Sequence, residues 1–340
     1  MNIRFVVPPA AQSVGGLDAA VESLRAALIA AGCTVGYELP APGEDQPDLV
    51  HFHGLWQRRY SALAKRCHTQ GIPYVVSPHG MLEPWAWRHK WWKKWPYFWL
   101  VERLFLKQAA SLVATAEAEA AHLRARVPGV PVAVLPLGLT GEAGPAYQAA
   151  RQALGWSMEE TVLLYLSRLH PKKGLHLLLS ALATLTVPNR VRLVIVGEGE
   201  ATYLQSLHAL AAALPPLGVA VEWHGAIWGD ARWSFFQGAD LFCLPTHSEN
   251  FGLAVLESLQ VGTPVLTTYA TPWADVLTAP EGYVCHPRIP DVHGALTAFF
   301  SAPRISAAAQ ASLAAKTRQK FAWPNVVPLY VQAYHDAMRR

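Results

Sequence analysis

The sequence predicts an α/β protein of two Rossmann-like domains with parallel sheets, and three observations carry that expectation. Short apolar runs alternate with longer amphipathic stretches along the whole chain, the pattern of strand-helix-strand units whose sheets are covered on both faces. At 340 residues the chain exceeds one ordinary core and suits two. A polar, Ala/Gly-rich stretch at 139–145 with turn signals separates two such series. The domains are expected at residues 1–145 and 155–320, with a terminal helix in 321–340 left to pack back on the first.

Taken in order, the first series offers strands at Ile3–Val7, Leu49–His53, Tyr74–Ser77, Ser111–Ala114 and Val132–Leu135. Between the first two lies a helix, Leu17–Ala31, ended by Gly32. The second series offers Val162–Ser167, Val191–Val196, Val219–Trp223, Leu241–Leu244, Pro264–Thr268 and Tyr283–Cys285, six strands with helices between them. The final helix is expected at Val327–Met338, with Pro328 in its first turn.

Composition removes several function classes. With 52% hydrophobic and 15% charged residues the chain can bury enough apolar surface to fold. A net charge of +4, spread over most of the chain, is too weak to argue for nucleic acid. Cys33, Cys67, Cys243 and Cys285 are far apart, with no metal spacing, and read as reduced thiols of a cytosolic protein. The apolar run after Arg4 is too short for a signal peptide, and no run of about 18 apolar residues occurs, so any membrane contact is expected to be peripheral. The cytoplasm is the expected location, its face of the inner membrane being the alternative.

Open parallel sheets bind ligands beyond the carboxyl ends of their strands, so two such sheets facing each other would leave a cleft lined by post-strand loops. Arg168 and Lys173 stand where the strand at 162–167 gives way to a helix, a position suited to an anion such as a diphosphate. Glu249 and Glu257 follow the strand at 241–244, one in the loop and one about two turns into a helix that begins near Phe251. Carboxylates at these places can accept hydrogen bonds from sugar and ribose hydroxyls, and the amides of Phe251, Gly252 and Leu253 at the helix start suit phosphate oxygens. Glu257 lies among apolar residues and needs a partner there.

This combination, Arg168 with Lys173, Glu249 and Glu257 spaced as E-x7-E, and Gly15-Gly16 ahead of the first helix, resembles the retaining glycosyltransferases of family 4, of GT-B fold, over nearly the whole chain. The resemblance implies that Arg168 and Lys173 hold the donor diphosphate, that Glu249 touches the donor sugar and Glu257 the ribose. Asn250, Phe251, Gly252 and Leu253 would complete the donor site. Gly197, Gly199 and Ile227 resemble the wall that receives the base. His79, in Ser77-Pro-His-Gly80, resembles the histidine that meets the donor sugar near the reacting centre. His53, in a second His-Gly pair, is a weaker candidate for acceptor contact. Gly15 and Gly16 would let a phosphate or acceptor come close. The family's reaction is a front-face displacement in which the protein positions and stabilises, so no catalytic base is assigned. No Asp-x-Asp motif or metal spacing is present, so no metal or other cofactor is expected.

The function so implied is transfer of a hexose from UDP- or GDP-sugar to a glycan or lipid-linked acceptor, in surface polysaccharide or lipopolysaccharide assembly. The alternatives are a nucleotide-sugar epimerase and a non-catalytic nucleotide-sugar-binding subunit. One segment stands apart: residues 85–107 hold six of the 13 tryptophans with Arg88, Lys90, Lys93, Lys94, Arg103 and Lys107. Trp91, Trp92 and Trp95 with Lys93 and Lys94 suit a membrane interface or an acceptor sugar. The opposing reading is a helix pair with Trp inside and Lys outside, and Pro96 is expected to interrupt any continuous helix.

Overall fold

The structure, a computed structural model, describes residues 1–9, 16–41, 45–88, 91–139, 146–187 and 190–340. The chain divides into two compact units, Met1–Thr140 with Phe321–Arg340, and Gly141–Lys320. Twelve strands are described: β1 (Asn2–Val6), β2 (Thr34–Tyr37), β3 (Leu49–His53), β4 (Tyr74–Ser77), β5 (Ser111–Ala114), β6 (Val132–Val134), β7 (Thr161–Leu166), β8 (Val191–Val196), β9 (Val219–His224), β10 (Leu241–Cys243), β11 (Val265–Thr268) and β12 (Gly282–Cys285). The helices are α1 (Gly16–Ala30), α2 (Arg58–Thr69), α3 (Pro84–Arg88), α4 (Trp91–Tyr97), α5 (Arg103–Lys107), α6 (Glu117–Arg126), α7 (Tyr147–Leu154), α8 (Leu175–Leu182), α9 (Ala201–Ala211), α10 (Ala231–Gly238), α11 (Leu253–Gln260), α12 (Ile289–Ser301), α13 (Ala307–Phe321) and α14 (Trp323–Met338).

The first unit is a six-stranded parallel sheet in the order β2-β1-β3-β4-β5-β6. Strands β3, β4 and β5 are buried along their whole length, as strands covered on both faces must be. One face packs Phe52, Tyr60, Tyr74, Phe105 and Leu106 together. The other packs Ile3, Phe5, Leu24 and Leu28 with Val326, Val327, Tyr330 and Tyr334 of α14. These α14 residues recur at helical spacing and give the helix its apolar stripe. Two hydroxyls anchor it: Tyr334 Oη lies 2.8 Å from His51 Nδ1, and Tyr330 Oη donates to the Leu135 carbonyl at 3.2 Å.

Two local expectations fail here. Strand β2 has no counterpart in the sequence reading, because it is a short edge strand with a single buried position, Val35. Helix α14 begins at Trp323 and not at Val327; Pro324 occupies its first turn and Pro328 lies inside. The earlier start adds buried Val326 to the core, with Trp323 packed against it.

The second unit is a six-stranded parallel sheet in the order β12-β11-β10-β7-β8-β9. Fully buried Arg151 of α7 pairs with Asp240 and donates to the carbonyls of Gly238 and Glu160, tying the helix to the sheet. Strand order reverses between β1 and β3 in the first unit and between β7 and β10 in the second. Ligands of open α/β sheets bind outside the carboxyl ends of strands at such a switch point.

Candidate functional site

Two loops leave the switch point of the second unit side by side. The loop after β7 runs through Arg168 to a 3-10 turn, Pro171–Lys173; the loop after β10 carries residues 245–252. They are stitched together by the Lys172 carbonyl, which accepts from His247 N at 2.8 Å and Thr246 Oγ1 at 3.0 Å. Gly174, at φ +75°, closes the turn, and a Cβ there would run into the Pro245 carbonyl oxygen. This approach brings Lys173 Nζ to 2.5 Å from Glu249 Oε2, both side chains mostly buried, at 16% and 13% exposure. Arg168 is exposed on the same loop and has no ion-pair partner among the described residues. One cation held by a carboxylate and one unpaired cation thus stand beside the start of α8, ready for a polyanion.

Glu249 is fixed by its own amide, which donates to the Ala270 carbonyl at 3.0 Å. Helix α11 begins at Leu253 rather than near Phe251, with Gly252 as its N-cap at φ +81°. Phe251 is buried against Trp273, whose indole N–H donates to the Phe251 carbonyl at 2.5 Å. Asn250 Oδ1 is buried without a hydrogen-bond partner, an acceptor left open next to Glu249. Glu257 pairs with Arg232 of α10 at 3.0 Å; burial pushes its carboxyl pKa up, and Arg232 opposes that shift. Gly197 and Gly199 have a packing reason to be glycine: a Cβ on either would meet the carbonyl of Ser167 or Leu169, so they let the β8 loop support the Arg168 loop. Ile227 is half-buried after β9.

In the first unit, β3 and β4 deliver His53 and His79 to one place. His53 Nδ1 lies 3.0 Å from His79 Nε2, and the rings stack with centroids 5.3 Å apart. His53 is 1% exposed, and the polar side chain it meets is that of His79. Burial lowers the pKa of His79 to about 4, so the ring is neutral at physiological pH. His79 holds a left-handed backbone at φ +52°, an uncommon state for a residue with a side chain. The next amide, Gly80 N, donates to Glu119 Oε1 at 2.7 Å, and Glu119 also accepts from Thr115 N and Oγ1 at 2.8 and 3.0 Å. Gly16 opens α1 with open space around it; Gly15 lies outside the described residues.

The aromatic segment departs from the sequence expectation at Pro96. Pro96 does not interrupt the helix: it is the next-to-last residue of α4, and the chain continues through a π-helical turn, Phe98–Glu102, into α5. Trp91, Trp92, Lys93 and Trp95 are exposed, whereas Lys94 turns inward, donating to the Ala86 carbonyl at 2.6 Å and lying over the Trp56 ring.

Sequence reasoning missed four residues. Arg232 pairs with Glu257, Trp273 holds the loop before α11, and Glu119 accepts from the amide that follows His79. Glu102 is wholly buried, accepts from Trp56 N at 2.7 Å, and has its pKa raised by burial to about 7. A lone acid in an apolar run was the available signal for Glu102; the other three depend on contacts far apart in the chain. Among the described residues no three His, Cys, Asp or Glu side chains gather as a metal site, and no helix is long and apolar enough to cross a membrane.

Residues 2–138 match the glycosyl transferase 4-like domain, and residues 147–318 match glycosyl transferases group 1. D-inositol 3-phosphate glycosyltransferase of Mycobacterium avium is 29% identical over 236 residues, covering 68% of this chain and 53% of the relative. That of Acidothermus cellulolyticus is 36% identical over 169 residues, covering 47% and 36%. The chain thus spans about half or less of the length of these relatives. Among solved structures, sucrose-phosphate synthase from Thermosynechococcus elongatus superposes with TM-score 0.80 at 18% identity, covering all of both chains. HepE from Anabaena in complex with UDP-glucose superposes with TM-score 0.77 at 19% identity, covering 98% and 99%. These likenesses establish the GT-B fold. With a family model that spans half of its length, over the unit that carries Arg168, Lys173, Glu249 and Glu257, the chain belongs to the glycosyl transferases group 1.

Proposed function

We propose that the chain is a retaining hexosyltransferase that moves a sugar from a nucleoside-diphosphate donor, UDP- or GDP-linked, to a glycan or lipid-linked acceptor. The observation that carries the reading is the meeting of Lys173 and Glu249, with unpaired Arg168 on the same loop, at the switch point of the second sheet. A diphosphate arriving there would take the Lys173 ammonium from Glu249 and gain Arg168, leaving Glu249 free to accept hydrogen bonds from the donor sugar. The two cations then stabilise charge as the nucleotide leaves, which gives the role without a metal or another cofactor. Glu257 would hold the ribose, and Asn250 Oδ1 would accept a further hydroxyl. The UDP-glucose complex of HepE supports a nucleotide-sugar donor.

His79, neutral and held against His53, would meet the donor sugar from the first unit. The displacement then proceeds on the face that the nucleotide leaves, the departing phosphate oxygen taking the acceptor proton. Surface polysaccharide or lipopolysaccharide assembly in the cytoplasm is the proposed setting; WaaG, a glycosyltransferase involved in lipopolysaccharide biosynthesis, shares the fold at TM-score 0.66.

The test is thermal-shift binding of UDP, GDP and ADP, followed by turnover of the matching nucleotide-sugar with the product anomer read by NMR. Selective stabilisation by one diphosphate, lost in Glu257→Ala, and a product anomer equal to the donor's are expected. No stabilisation by any diphosphate, or an inverted product, overturns the reading.

A further inference from the structure

The helical segment 91–107 turns its aromatic side outward. Trp91 and Trp92 are 58% exposed, Trp95 54%, Trp99 50%, Leu100 79% and Leu104 60%. Six large apolar side chains within 14 residues are open to solvent, while the other exposed large hydrophobics among the described residues are scattered along the chain. A patch of this kind marks an interaction surface.

The π turn makes this face continuous. An α-helix advances by about 100° per residue, so in an unbroken helix Leu106 would join the tryptophans outside and Leu104 would point the opposite way. The observed burial is the reverse: Leu106 is fully buried and Leu104 exposed. The wider turn at Phe98–Glu102 inserts about one residue's rotation, which carries Leu104 back toward the tryptophan face and Glu102 and Leu106 into the core.

Charge selects the partner. Between residues 84 and 116 the sequence has one carboxylate, Glu102, and it is buried. The basic groups beside the tryptophans stay outside: Lys93 and Lys107 are exposed, and the Arg103 guanidinium stacks over Trp99 at 4.8 Å. Indole rings flanked by lysine and arginine, with no acidic group among them, match the headgroup level of an anionic bilayer. A second copy of the chain fits poorly, because an isologous contact would set this basic face, with Lys93, Arg103 and Lys107, against the same face of its partner with no exposed carboxylate of the segment to pair them.

We propose that the face formed by Trp91, Trp92, Trp95, Trp99, Leu100 and Leu104 docks the first unit on an anionic lipid surface. The indoles and leucines enter the headgroup region while Lys93, Arg103 and Lys107 meet lipid phosphates. The proposal stands whichever nucleotide-sugar the second unit takes.

The experiment is vesicle flotation of the full chain with phosphatidylcholine alone and with added phosphatidylglycerol, read alongside tryptophan emission. The variants are Trp91→Ser with Trp92→Ser, Trp95→Ser and Trp99→Ser, and separately Lys93→Glu with Lys107→Glu, each checked for an unchanged circular dichroism spectrum. The wild-type chain should float with phosphatidylglycerol vesicles, release at high salt and shift its emission to the blue. The tryptophan variant should lose about tenfold or more in partitioning, and the charge variant should lose the preference for anionic lipid. Wild-type chain that stays unbound, or tryptophan variant that binds equally, overturns the proposal. So does dimerisation without lipid that the tryptophan variant abolishes, or emission quenched by soluble glycan while vesicles leave it unchanged.

Discussion

Lys173 and Glu249 are 76 residues apart in sequence and 2.5 Å apart in space, joined across two loops that share the Lys172 carbonyl. The pair is the part of the candidate site most open to a direct test. Replacing Lys173 or Arg168 by Ala should lower kcat/KM for the nucleotide-sugar by about 10²–10³-fold, the scale of losing one preorganised charge stabiliser. Arg168→Ala should leave the melting temperature unchanged, since that side chain is exposed. Near-normal turnover in either variant would sink the diphosphate assignment.

Trp273 offers a finer probe. Its indole N–H holds the Phe251 carbonyl just before α11. Trp273→Phe keeps most of the ring and removes the donor, so it should raise the donor KM by about fivefold, the equivalent of one hydrogen bond, with kcat little changed. An unchanged KM would separate the order of that loop from donor binding.

His53 should act through His79. With His53→Ala the imidazole of His79 loses its stacked and hydrogen-bonded neighbour, and kcat is expected to fall by about 10- to 100-fold through misplacement. Nucleotide affinity, measured by calorimetry, should hold. A loss of acceptor affinity without a loss of kcat would instead give His53 a direct contact.

Glu102 makes stability depend on pH. Its folded pKa, about 7, lies above the ordinary 4.5, so its contribution is complete below about pH 4.5 and is lost as pH rises to about 7. That difference amounts to about 3 kcal/mol. His79 works in the opposite direction, its pKa of about 4 removing stability as pH falls from 6.5. Glu102→Gln should therefore gain on the wild type between pH 5 and about 7 in urea unfolding, while the acid limb remains. A constant gap between the two proteins across that range would show that Glu102 does not titrate there.

The sequence made the sheets legible because buried parallel strands are short apolar runs. β3, β4, β5 and β8 fall where those runs lie, and the other expected strands differ by a residue at their ends. β2 escaped because an edge strand buries too little to leave a run. Arg168, Lys173, Glu249 and Glu257 were readable as residue types in the segments that follow strands. Their partners were not: Arg232 reaches Glu257 from another helix, and His53 gives no sign in its own segment that its neighbour is a second imidazole. In the aromatic segment Trp91, Trp92 and Trp95 stand on an exposed face, one of the two arrangements the sequence offered, whereas the run of the helix past Pro96 was not legible, because a π turn shifts every later position and leaves no mark in the sequence.

The return of α14 to the first sheet bears on the order in which the chain can be made and folded. Val326, Val327, Tyr330 and Tyr334 complete a core that includes Ile3 and Phe5, so that sheet keeps one face only partly covered, by α1, until residues 323–338 have left the ribosome. The unit between them, Gly141–Lys320, is contiguous and can settle before its predecessor is closed. Translation from the amino terminus ordinarily lets the leading domain fold first. Here the first unit is finished late, and a nascent chain halted before α14 would leave the apolar surface around Ile3 and Phe5 incompletely covered.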